Sequence, residues 1–339
     1  MRHIWTLVWQ PDEQALTALL PRLPEHQVRR GPLVLASAHE LQQTMDGKAI
    51  GILDGVIFND LALAGPLTAR GAPIVDHTSL ALHTVGWSGL AGLATMRWHG
   101  TLAIVHQAQR SAIVARDWQG VGGLYWAQSA GAHVFANTSQ ALLNRGLTPR
   151  LVPPGMAAIC LPSGVQWQVL PSSPAARAWF RELPEELATP TPQDWQLGLA
   201  ARLREALAAC QRALPNLQQE TPGDRVGTWL AAQLPLVAPV AADALWSLEG
   251  ADAWLGLASA APVEHPIGPW PEPEPPEPLR VDAREALARW VRATWLADVA
   301  LESARQRAAL VDLPIVAPHL DPAVLAWLGA MPVALRPLA

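Results

Sequence analysis

The patterning of this chain predicts a fold of α+β followed by α/β type. Two layers of mainly antiparallel sheet covered by helices are expected over residues 1–170, then a linker at 171–192 and a largely helical section at 193–339. Three observations carry this. Short alternating apolar runs recur in a hairpin-like rhythm as far as residue 136, with few helical stretches between them. A polar stretch rich in Pro and Ser then breaks the rhythm. Beyond it, QDWQLGLAARLREALAACQRAL at 193–214 reads as one long amphipathic helix.

The elements follow in order. Ile4-Trp5-Thr6-Leu7-Val8-Trp9 alternates as a strand, and Pro11-Asp12-Glu13 opens a helix running through Leu20. Strands are expected at 33–37 and 50–57, the second ending in the turn-prone pair Asp54-Gly55. Residues 76–95 carry apolar positions at helical spacing, and strands follow at 99–107, 111–116, 122–127 and 132–136. A helix at 138–145 stops at Gly146. In the 193–214 helix Leu199, Leu203, Leu207 and Leu214 form one stripe. HPIGPWPEPEPPEP at 265–278 must be extended, and it separates a compact middle section from a final helical one at 281–330. No internal repeat is visible.

Composition narrows the function classes. At 339 residues, 50% hydrophobic and 16% charged, the chain suits two folded domains with their own cores. A net charge of -5 gives no basic footprint for nucleic acid. No run of about 18 apolar residues would span a membrane, and MRHIWTLVWQPDEQ lacks a signal-peptide core, so a cytoplasmic location is expected. Cys160 and Cys210 have neither the CxxC spacing of a zinc site nor a disulfide framework. Sixteen Trp stand beside one Tyr and three Phe; they either fill core and interface positions or stack on a ligand. Lys48 is the single lysine among 24 basic residues.

One block carries a family resemblance. It comprises Ala115-Arg116-Asp117, Gly120, Leu124-Tyr125-Trp126, Phe135-Ala136-Asn137-Thr138 and Pro153-Pro154-Gly155. Together these resemble the end of a glutamine amidotransferase domain of the asparagine synthetase family. Upstream, Leu53-Asp54-Gly55-Val56-Ile57-Phe58-Asn59 is similar to that family's Asn-Gly-Glu-Ile-Tyr-Asn stretch. Val75-Asp76-His77-Thr78 is similar to its Ser-Asp-Thr-Glu. The resemblance, spread over residues 48–159, implies an Ntn-type αββα sandwich for the first domain. It places substrate-binding positions at Asp54, Gly55 and Asp76, the last matching the acidic residue that holds the glutamine amine.

The same resemblance exposes missing chemistry. The family hydrolyses glutamine with an N-terminal cysteine whose own amine is the base, and position 2 here is Arg2. The family's Asn and Glu correspond to Asp54 and Val56, and a carboxylate at Asp54 would oppose a developing oxyanion. β-Lactam synthetases and lasso-peptide cyclases look like relatives that lost this cysteine and kept their ATP chemistry. The second half therefore has to be judged separately.

There, the 193–214 helix resembles the helix preceding the family's Ser-Gly-Gly-x-Asp-Ser pyrophosphate loop, an anion cradle that depends on glycine. No Ser-Gly-Gly occurs anywhere in the sequence, so a truncated synthetase-like domain is implied. Residues 242–256 rejoin the pattern. There Ser247, Glu249 and Asp252 match substrate-binding positions, and Asp252 the magnesium-pyrophosphate ligand, although Leu248 replaces a glycine. Ala317-Pro318-His319-Leu320-Asp321-Pro322 resembles the family's Pro-Phe-Leu-Asp before a closing helix. The family's catalytic lysine has no counterpart near it, since Lys48 lies in the other domain.

Taken together, these features predict an asparagine synthetase-like pseudoenzyme with no catalytic residues of its own and no cofactor. It would act as a binding or partner subunit for an active synthetase or cyclase, or for a peptide, or as a homo-oligomer. The alternative is an ATP-dependent amide-forming enzyme, an asparagine synthetase or lasso-type cyclase, with a remodelled site using ATP and Mg.

Overall fold

The computed structural model describes residues 4–12, 14–16, 24, 26–44, 46–171 and 191–213, together with 269, 321–324 and 327. Two six-stranded sheets dominate it. The strands are β1 (Trp5–Trp9), β2 (His26–Arg30), β3 (Leu33–Ser37), β4 (Gln42–Gln43), β5 (Ala49–Ile57), β6 (Trp98–His106) and β7 (Ser111–Arg116), followed by β8 (Tyr125–Ser129), β9 (Ala132–Ala136), β10 (Arg150–Leu151), β11 (Met156–Leu161) and β12 (Gly164–Val169). The helices are α1 (Asp60–Thr68), α2 (His77–Ser88), α3 (Leu90–Thr95), α4 (Ser139–Leu143) and α5 (Pro192–Ala213).

The first sheet runs in the order β10-β8-β9-β1-β3-β2 and the second β12-β11-β7-β6-β5-β4. Strand alternation decides which faces meet. From the first sheet, Trp5, Leu7, Leu33, Leu35, Trp126 and Phe135 pack against Ile52, Ala103, Val105, Val114 and Ala158 of the second. The neighbouring residues of β5, β6 and β7, among them Leu53, Leu102 and Ile113, face the other way onto α2 and α3. Val8, Val34, Tyr125 and Val134 turn outward from the first sheet toward α4 and Leu16. Helix, sheet, sheet, helix is thus the layer order, as the patterning and the resemblance imply. No described helix is long and apolar enough to cross a membrane.

Several expectations need correction. Asp54-Gly55 is not a turn: β5 continues through it, paired with Thr101 and Gly100 of β6. A Cβ on Gly55 would lie 1.9 Å from the His99 carbonyl oxygen, so the glycine serves strand contact rather than chain reversal. The helix expected at 76–95 is two, α2 and α3, divided at Gly89 with φ +59. Strands β2, β4, β10, β11 and β12 and helix α1 were not read from sequence. β2 is a polar edge strand with no apolar face to alternate. α1 carries Pro66 in its interior, where proline disfavours a helix. Of the helix expected from Pro11 the described residues 14–16 are helical, with the Asp12 carboxylate accepting from the Gln14 and Ala15 N–H groups at 2.8 and 3.1 Å.

α5 starts within a residue of its expected position and packs against β5. Its closest-packed positions are Leu199, Ala206, Ala209 and Cys210, while Leu203 and Leu207 are only half-buried. Small side chains let the helix approach the sheet closely. Paired charges hold it there. Arg212 reaches Asp60 with Nε and Nη2 at 2.6 and 2.7 Å, and Glu205 meets Arg97 at 2.8 Å.

Candidate functional site

The polar residues of the inter-sheet layer collect at one end of the sandwich, where β1 begins and β9 finishes. Asp54 on β5 and Thr101 on β6 are register partners, and Thr101 in turn pairs with Arg116 of β7. All three therefore stand in one row on the face toward the first sheet. From that sheet Asn137, just past β9, reaches across. Its Nδ2 donates to Asp54 Oδ2 at 2.7 Å, and its Oδ1 accepts from the Trp5 backbone N–H at 3.0 Å. A single amide thus joins the start of β1 to the opposite sheet.

Below this row a loop is held by the adjacent ion-bearing residues of the Ala-Arg-Asp motif. Arg116 is fully buried and donates to the carbonyl oxygens of Gly122, Gly120 and Val152. Asp117, also fully buried, accepts from the N–H groups of Gly100 and Gly122, both at 2.9 Å, and from Gln119 and Val121 at 3.0 and 3.2 Å. Gly155 of the Pro-Pro-Gly motif donates its N–H to the Asp117 carbonyl at 3.0 Å. Its Cα lies so close to the Trp118 ring that a Cβ would meet the ring at 2.5 Å. These motif residues satisfy backbone groups; a buried carboxylate bonded by four N–H donors anchors a loop.

Two donor groups in this region have no hydrogen bond among the described residues: Trp5 Nε1 and Thr101 Oγ1, both buried. His99, opposite Val56 in the register, stacks edge-on against Phe58 with centroids 4.6 Å apart. The set can therefore bind through hydrogen bonds, with one carboxylate already committed to Asn137.

A thiol nucleophile is not among these groups. Cys160 on β11 pairs with Ala112, four residues along β7 from Arg116, about 13 Å away at strand spacing. Burial alone pushes its thiol far above the ordinary range. Cys210 lies on α5; burial, then the nearby Asp321 carboxylate, raises its thiol to about 12. Both remain protonated, and a thiol must ionise to attack.

The sequence-derived positions divide. Asp54 lies in the polar row; Gly55, next to it on β5, is on the alternate face and abuts Gly100 of β6. Asp76 is exposed at the N-cap of α2, on the helix-covered side of the second sheet, and accepts from Ser79 N–H at 2.7 Å in a capping box. Its neighbour His77 accepts from Ile57 N–H at 2.9 Å and lies 3.4 Å from Asp60. Burial drives His77 toward the neutral form despite that carboxylate. Ser247, Glu249 and Asp252 lie outside the described residues, as do Arg2 and nearly all of the Pro-rich 265–278 stretch and of 281–330. Among the described residues no His, Cys, Asp or Glu cluster could hold a metal. Asn137 was read only as part of a motif. Its role rests on a cross-sheet contact 83 residues away in sequence, which no local signal announces.

The geometry defines a class first: an αββα sandwich of two antiparallel sheets with a buried polar row at one end. The glutamine amidotransferase domain family matches residues 33–144, so this part of the chain is glutamine amidotransferase-like. No curated protein matches the chain. Among solved structures, glutamine phosphoribosylpyrophosphate amidotransferase from B. subtilis, complexed with ADP and GMP, is 15% identical. That similarity covers 54% of this chain and 53% of that one, with a TM-score of 0.40. An allosteric regulatory enzyme of purine biosynthesis is 16% identical over 54% of this chain and 53% of its own, at TM-score 0.38. A glutamine aminotransferase class-II domain protein from Silicibacter pomeroyi is 14% identical over 50% of this chain and 91% of its own, at 0.29. The chain spans about half the length of the first two.

Proposed function

We propose that this chain is an asparagine synthetase-like pseudoenzyme, a binding or partner subunit whose amidotransferase-like domain does not hydrolyse glutamine. The observation that carries the reading is the state of its cysteines. Both are buried and held as neutral thiols, and neither belongs to the polar row. The substitution at Asp54 supports it further. An amide there could donate to a developing oxyanion, whereas a carboxylate repels one. This carboxylate instead accepts from Asn137 at 2.7 Å and helps to close the sandwich end.

The experiment is glutamate release from glutamine by the purified full chain. Turnover above the uncatalysed background that survives alkylation of exposed thiols would overturn the proposal. ATP–pyrophosphate exchange with Mg, run in parallel, tests the alternative raised by Ser247, Glu249 and Asp252. Measurable exchange would make the chain an amide-forming enzyme; its absence, with capture of an active synthetase or cyclase, would make it a partner subunit.

A further inference from the structure

We propose that the end of the sandwich opposite the Asp54–Asn137 row is a binding site for a phosphate group. Three hairpin turns and the end of β1 enclose a cavity of ≈ 550 Å³ there, lined by Gln10, Arg29, Arg30, Gly31, Arg110 and Pro162 among others. That volume falls within the usual span of small-molecule pockets, roughly 300–1,000 Å³. Three arginines are among its lining residues and, among the described residues, no Asp or Glu lines it, in a chain whose net charge is -5. The neighbouring Asp12 carboxylate is occupied by the N–H groups of Gln14 and Ala15.

Arg30 and Arg110 carry the argument, from different sheets. Arg30 is fixed in place. Its Nε and Nη2 both donate to Gln107 Oε1, beyond the end of β6, and its Nη1 donates to the Arg29 carbonyl at 2.7 Å. Arg110 is exposed and makes no hydrogen bond or ion pair among the described residues. It also sits in the left-handed region at φ 49, a conformation that disfavours a side chain. Its stem passes 3.4 Å from where a Cβ of Gly31 would stand, and Gly31 has φ +56. The two turns therefore lie side by side, and the positive φ of Gly31 is what favours glycine there. One pre-set guanidinium and one unpaired guanidinium at a cavity with no carboxylate suit a compact multivalent oxyanion, because the planar fork bonds such groups bidentately.

The test is isothermal titration of inorganic phosphate and of glycerol phosphate into the full chain, against potassium chloride at matched ionic strength. The comparison variant is Arg110→Gly, which removes the guanidinium and suits the left-handed φ, so its melting temperature should be unchanged or raised. Saturable binding of either probe, weakened at least tenfold in Arg110→Gly, is the expected result. The tighter probe then tells whether free phosphate or a phosphorylated small molecule is the ligand. Absence of saturable binding of both probes, equal binding by Arg110→Gly, or an equal response to chloride would each overturn the assignment.

Discussion

Asn137→Ala should loosen the sandwich at its polar end. The side chain is fully buried and makes two bonds that matter here, one to the Asp54 carboxylate at 2.7 Å and one from Trp5 N–H at 3.0 Å. Removing a partner from a buried polar group costs about 1–3 kcal/mol, and the bond to a charged group lies toward the upper end. Two such losses give roughly 3–5 kcal/mol. For a domain of this size each kcal/mol lowers the melting temperature by about 2–4 °C, so a fall on the order of 10 °C is expected. Thermal and urea denaturation of the single variants Asn137→Ala and Asp54→Ala and of the double variant would measure the coupling. The double variant should be less destabilised than the sum of the singles, by about 1–3 kcal/mol. Additivity to within about 0.5 kcal/mol would refute the idea that this amide and this carboxylate act as one tie between the sheets.

Four further outcomes can be checked. Gly55→Ala would drive a Cβ to 1.9 Å from the His99 carbonyl oxygen. Both strands must then shift, and soluble yield and melting temperature should fall more than for Asn137→Ala. Native protein should show no fast-reacting thiol toward an aromatic disulfide reagent, and both cysteines should react once guanidinium unfolds the chain. Arg212→Ala removes the bidentate contact that holds Asp60 below the carboxylate range against the effect of its burial. Hydrogen exchange in α5 should then quicken. The Asp60 contribution, present above the ordinary 3.8 and lost as pH falls through its lower folded value, should disappear. Asp321 has the opposite sign: burial, opposed by Arg97, raises its carboxyl from 3.8 to about 6. Its contribution to stability is complete below 3.8 and is lost as pH rises through about 6, so Asp321→Asn should flatten the urea-midpoint profile over that interval.

What could be read in the sequence follows from how locally each feature is encoded. β1, β3, β5, β6, β7 and β9 are short runs of mostly apolar residues bounded by turns, and those runs marked them within a residue or two. β11 has Ala157 and Ala158 near its start, and alanine is a weak strand former, so no strand signal stood out. Asp54-Gly55 misled because the pair is turn-prone by composition, whereas its geometry answers to β6: Gly100, with φ +120, and Gly55 approach too closely for side chains. Asp76 matched a binding position by its neighbours in sequence, yet the Ser three residues on makes it a helix cap, a pairing that was also legible. The apolar stripe of α5 was placed on its leucines, while the tightest contacts use Ala206, Ala209 and Cys210, since close approach to a sheet rewards small residues.

The motifs that reveal the kinship are largely those that build the sandwich rather than those that react. Arg116 and Asp117 satisfy seven backbone groups between them, counting three carbonyls and four N–H donors. Losing either would leave three or four buried backbone groups unbonded, at about 1–3 kcal/mol each, a sum comparable to the whole stability of an ordinary domain. A nucleophile or an oxyanion donor carries no such structural load. Asp54 carries a structural load of its own, since its carboxylate accepts from the Asn137 amide across the two sheets. A match across scaffold motifs therefore marks the fold without certifying an activity. The cysteines and the polar row bear on the activity, and in this chain they lie apart.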